Sequence, residues 1–151
     1  MQDQLEIIKV IRNTLEKIMS RYTLEQLNKV PEGFSNNLIW NVAHVVVTQQ
    51  LLVYKLAGLP MMISDEMVAL YKKGTKTERP CTEEEVAEIK ELLHATVTKT
   101  EEDVAKGLFV NYTEYPTSTG YVILNNESSF AFNSFHEGIH LGYILALKKA
   151  L

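Results

Sequence analysis

The sequence predicts an all-α protein: a four-helix bundle with a short extra helix and a long connector before the last helix. Apolar residues recur at spacings of three and four through four long stretches, the period of a helix that buries one face. Breaks containing Gly or Pro separate those stretches. At 151 residues with 46% apolar content and no repeat, low-complexity segment or linker, residues 1–151 read as one domain with a respectable core.

In the first helix, expected over residues 3–28, the stripe is Ile8, Ile11, Leu15, Ile18 and Tyr22, and Pro31-Glu32-Gly33 ends it. The second runs from about 36 to 57, where Gly58 and Pro60 stop it. Its main stripe is Leu38, Val42, Val45, Gln49, Leu52 and Leu56, while Trp40, His44, Val47 and Leu51 lie opposite. Such a helix needs covering on two sides, here expected from the bundle core and a subunit interface. Ser64 caps a short helix over 65–73 that ends at Gly74. Thr82 and Glu85 form a capping box for the third long helix, which follows Val86, Ile89, Leu93, Val97, Thr100 and Val104.

After Gly107 comes a connector of about 20 residues, rich in tyrosine, whose length points to a functional loop. Within it, 108–110 and 121–124 are expected to pair as a brief hairpin. The final helix, over 127–150, has an expected core stripe of Phe132, Ile139, Tyr143 and Leu147 that includes His136 and His140. Gly138 and Gly142 lie on another side near Ala131 and Ala146, where a second helix can approach closely.

Charged residues make up 23% of the chain and the formal charge is −4, with only Lys72-Lys73 and Lys148-Lys149 as basic pairs, which argues against nucleic-acid binding by phosphate neutralisation. The single cysteine, Cys81, excludes an internal disulfide framework and fits a reducing compartment; it reads as an incidental structural thiol. The Met1–Glu6 start lacks a signal-peptide pattern, and no apolar run reaches the roughly 18–20 residues of a membrane span. A cytoplasmic protein without a membrane partner is expected.

The chemistry-bearing pattern is Phe135-His136-Glu137-Gly138-Ile139-His140-Leu141, which sets two imidazoles one turn apart on one helix face, with His44 on an otherwise uncharged helix. Three imidazoles can ligate a divalent transition metal and leave positions open for water or substrate. A buried, satisfied pair of core histidines is the competing reading. Ser129 and Asn133 share the stripe and could orient a ligand; the alternative is that they cap and solvate the helix start. Glu137, on the flank of the histidine face, is the candidate catalytic base, against the plainer reading of a solvated helix residue.

His-Glu-x-x-His also fits a zincin signature, but the 11 residues after His140 include no Asp, Glu or His to supply a downstream ligand. A di-iron carboxylate site would use Glu137-x-x-His140 and Glu91-x-x-His94. Glu91 and His94 lie off their helix's apolar stripe, and the second helix carries no acid. His94 therefore reads as a surface histidine.

Trp40-x-x-x-His44, the closing Leu56-Ala57-Gly58-Leu59-Pro60, Tyr71-Lys72-Lys73-Gly74-Thr75 and His136-Glu137-Gly138-Ile139-His140-Leu141-Gly142 together resemble the DinB/YfiT-like superfamily across nearly the whole chain. That resemblance implies a metal-binding four-helix bundle, often dimeric, whose three histidines map to His44, His136 and His140. The metal it implies is nickel or zinc, with iron or manganese as further candidates. Relatives include thiol S-transferases and isomerases, so the expectation is an enzyme that activates a thiol or a water on a small substrate, with a low-molecular-weight thiol as one partner. A non-catalytic metal-binding stress-response or interaction protein is the alternative. One departure is Tyr143, which stands where the family often has Gln.

Overall fold

In the computed structural model, which describes residues 1–151, α1 spans Gln2–Met19. Leu5, Ile8, Arg12, Leu15 and Met19 form its buried seam, flanked by Ile11 and Ile18. The single helix expected over 3–28 is in fact two. The chain turns after Met19 and restarts as α2, Leu24–Asn28, because Thr23 and Gln26 cap each other reciprocally: each side chain accepts from the other's backbone N–H. That start signal lies inside a stretch whose apolar period runs on unbroken, which hides it.

Asn37 caps α3, Leu38–Gln49, its Oδ1 accepting from the Trp40 N–H at 2.8 Å. Every residue from Leu38 to Val47 is buried. Within this one chain α3 packs against α2, against α4 (Asp65–Tyr71) and against the long helices α5 (Glu83–Ala105) and α6 (Asn126–Leu147). Its two apolar sides are thus covered without a second subunit, which removes the reason for placing an interface there. Past Gln49 the helix widens into a π-helical turn, Gln50–Tyr54, and tightens into a 3-10 turn, Lys55–Ala57, that ends on Gly58 in the left-handed region at φ 73°. The Leu52 carbonyl in this turn accepts from Ser129 Oγ at 2.8 Å and Tyr112 Oη at 3.1 Å, tying α3 to α6 and to the connector.

Ser64 caps α4 and the Thr82–Glu85 box caps α5, as their sequences indicate. In the connector the hairpin uses one of the two expected arms. Tyr115–Pro116 (β1), not 108–110, pairs antiparallel with Val122–Ile123 (β2). Of the 108–110 patch only Phe109 turns inward, its ring meeting Tyr54 and Phe130 edge-on at 5.4 and 5.3 Å, while Leu108 and Val110 stay exposed.

α1, α6, α3 and α5 stand around the bundle in that order, so α3 and α6 are neighbours. The seam of α6 differs from the expected one. Phe130, Asn133, Glu137, Ile144 and Leu147 are buried, whereas Ile139 and Tyr143 face outward with Phe135 and Leu145. The inward face is rotated because its middle is polar. Glu137 bonds both Asn133 and Arg12, all three fully buried, and the buried Gln49, Thr100 and Thr96 form a second polar chain of their own. No helix is long and apolar enough to cross a membrane.

Candidate metal centre

His44 projects from the buried length of α3, and His136 and His140 project from the face of α6 toward it. The ring centroids lie 5.2 Å (His44–His136), 4.7 Å (His44–His140) and 4.6 Å (His136–His140) apart. One nitrogen of each ring lies within 4.8 Å of the others, and no cysteine or carboxylate joins the group. An ion holds imidazole nitrogens at about 2.0–2.1 Å, so the three would draw closer around one, a movement of side chains rather than backbone.

Two of the three rings have their tautomer set by their surroundings. His44 Nδ1 lies 2.6 Å from the carbonyl oxygen of Tyr71, the last residue of α4. A carbonyl only accepts, so Nδ1 carries the proton and Nε2 keeps its lone pair. The α4 C-terminus supplies this carbonyl because its last C=O groups have no helical partner. His140 Nδ1 lies 3.0 Å from Asn41 Oδ1. Asn41 in turn donates from Nδ2 to the Asn37 carbonyl at 2.8 Å, which fixes its amide so that Oδ1 faces the ring. His140 Nε2 then keeps its lone pair as well. His136 Nδ1 is buried without any hydrogen-bond partner. A buried, unpartnered ring nitrogen beside two oriented imidazoles is the donor set a divalent metal uses, so these residues fit such an ion.

The electrostatics agree. Burial, with smaller contributions from His140, His44 and Arg12, pulls the His136 pKa down to about 3. Burial and His44 bring His140 to about 4. Burial also lowers His44, partly offset by its bond to Tyr71. All three rings are therefore neutral near pH 7, the form that ligates metal without first losing a proton. Trp40 stacks on His44 with ring planes 9° apart, and Thr48 Oγ1 lies 3.3 Å from His44 Nε2.

Other candidates go elsewhere. Glu137 is not solvated: it is fully buried in an ion pair, Oε2 accepting from Arg12 Nε at 2.8 Å and Oε1 from Arg12 Nη2 at 2.7 Å and Asn133 Nδ2 at 2.9 Å. Asn133 is spent on that carboxylate and Ser129 on the Leu52 carbonyl, so neither orients a histidine. His94 pairs with Glu16 at a half-exposed position on the far side of α1 and α5 from this group. Cys81 is buried against the Tyr71 hydroxyl at 3.1 Å, and burial raises its pKa, so the thiol stays protonated. The groups that do orient the histidines, Asn41 and the Tyr71 carbonyl, escaped the sequence reading. Asn41 alone left a signal, as an amide one turn before His44 on an apolar helix.

The model of the DinB superfamily matches residues 8–144, nearly the full length of the chain. The chain belongs to the DinB superfamily. This is a metal-binding superfamily, and the three converging histidines of this DinB protein are positioned to bind a metal ion. A solved structure, the crystal structure of a conserved protein of locus from Enterococcus faecalis, has a TM-score of 0.68 at 14% identity, covering 99% of this chain and 95% of that one. At that identity the likeness speaks for the fold alone. No curated protein matches the chain.

His44 and His136 open onto a cleft of about 340 Å³ walled by Leu51, Leu56, Phe132, Phe135 and Ile139 and edged by the hairpin turn at 117–119. The connector thus forms part of the cleft's rim.

Proposed function

We propose that this DinB protein is a divalent-metal enzyme that activates a thiol or a water against a small substrate. The observation that carries this reading is the three-histidine group with no fourth protein ligand, beside a cleft of small-molecule size. His44, His136 and His140 would hold the ion, with nickel or zinc, both suited to imidazole ligands, as the proposed metal. When bound, such an ion lowers the pKa of a coordinated thiol or water, making a nucleophile available near neutral pH. The protein's own part is to keep the rings neutral and aimed, through Tyr71 and Asn41, and to present an apolar wall beside them. The lone, protonated cysteine fits residence in a reducing cytoplasm.

The test is thiol conjugation. Protein loaded with nickel or zinc is mixed with a low-molecular-weight thiol and monobromobimane, and adduct formation is followed by fluorescence. Metal-dependent turnover that disappears on chelation is the expected result. Absence of turnover with every thiol and metal tried, together with no ester or amide hydrolysis, would leave a binding protein instead.

A homodimer is part of the same proposal. Its support is the outward face of α6 away from the cleft, where Tyr143 and Leu145 are exposed beside Gly138 and Gly142. Light scattering is expected to give twice the mass of the chain. Leu145→Glu is expected to give the monomer, and a wild-type monomer at high concentration would refute the dimer.

A further inference from the structure

We infer that the cleft beside the histidines selects a substrate with an anionic end, held by Lys55 and Lys73; this rests on the proposed function and names its substrate class. Among the fifteen residues that line the cleft there are two lysines and no aspartate or glutamate, although the chain as a whole has 19 acidic side chains against 15 basic ones. The formal charge of the lining is therefore opposite in sign to the protein's net charge of −4. Neither ammonium is committed elsewhere, since the ion pairs of the molecule use Lys9, Arg12, Arg79, His94, Lys99 and Lys106.

The two lysines reach the cleft from different elements. Lys55 leaves the 3-10 turn that prolongs α3, and Lys73 follows the end of α4. The turn of the hairpin adds the hydroxyls of Thr117, Ser118 and Thr119. Thr117 and Thr119 bond each other at 2.9 Å, while the Ser118 hydroxyl has no internal partner. His44, Thr48, Leu51 and Lys55 all line the cleft, so the wall runs from imidazole to ammonium across the π-helical turn. The cleft thus offers nucleophile activation at the histidines, an apolar middle and cationic reach beyond it. The matching molecule has an electrophilic or thiol-bearing centre, an apolar body and a terminal carboxylate or phosphate.

Calorimetric titration of the full-length metal-loaded protein with phenylbutanoate and its neutral isostere phenylbutanamide tests this. The expected result is a preference of about tenfold for the anion, or 1.4 kcal/mol, weakened by added salt. In Lys55→Gln/Lys73→Gln the preference is expected to fall to within about twofold, with metal content and helical content unchanged. Lys55→Glu/Lys73→Glu is expected to favour phenylbutylamine instead. Phenyl phosphate set against phenylbutanoate tells a phosphate-seeking site from a carboxylate-seeking one. A wild-type protein that does not discriminate anion from amide, or binds neither, overturns the inference. A preference that survives in the Lys→Gln pair also overturns it, because the anion would then be recognised elsewhere. Full metal content without charge preference refutes the anion site and leaves the metal reading standing; preference without metal does the reverse.

Discussion

Alanine in place of His44 or His140 is expected to reduce the metal content of the protein from near-stoichiometric to near zero, measured by elemental analysis of protein purified without chelator or metal resin. With three imidazoles in the group and no carboxylate or thiolate to replace one, each ring is a third of the donor set. His140 gives the cleaner test because it is only partly buried, so its loss disturbs packing less than loss of His44 from the buried length of α3. Asn41→Ala supplies the graded comparison. It removes the acceptor that holds the His140 tautomer while leaving all three ligands, and is expected to weaken metal affinity by roughly 10- to 100-fold in chelator competition. Metal content undiminished in both histidine variants would place the ion elsewhere. Equal, total loss in Asn41→Ala and in the histidine variants would show that Asn41 supports the fold of α3 rather than one ring.

What could be read ahead of the structure was whatever is written in local spacing. Thr82 and Glu85 specify a helix start through contacts three residues apart, and α5 begins there. His136 and His140 share a helix face by their spacing alone. Long-range partners were not legible. Glu137 looked like a surface residue because charge is normally exposed, and only the packing of α1 against α6 reveals that Arg12 meets it. Yet Arg12 sits four residues after Ile8 and three before Leu15, a charged residue in the middle of an apolar seam, and that position was the available clue. The same omission misplaced the α6 seam. Counting Ile139 and Tyr143 as core and Glu137 as surface turns the helix by about one residue, and hydrophobicity alone favours that error. The division of the first helix was lost for a related reason: Thr23 and Gln26 form a cap as local as the one at Thr82, but no Gly or Pro advertised the break.

Arg12→Met is expected to destabilise the protein by about 3–5 kcal/mol in urea unfolding, among the largest effects available to a single substitution in this chain. The Arg12 and Glu137 side chains are both 0% exposed, and the guanidinium supplies two of the three hydrogen bonds to the carboxylate. Removing it leaves a buried charge with only Asn133 as partner. Arg12→Met/Glu137→Leu removes both charges in similar volume and is expected to regain most of the loss, since a buried pair returns little more than its own desolvation. If the double variant is as unstable as the single one, packing around Arg12, including its bond to the Leu93 carbonyl, accounts for the effect and the ion pair does not. The same double variant decides what Glu137 does. A carboxylate whose oxygens all accept from Arg12 and Asn133 is anchoring α6 to α1, and one helix turn later that anchored backbone carries His140. A structural role predicts that the stable double variant keeps its metal and any metal-dependent turnover; a catalytic base predicts that it keeps the metal and loses the turnover.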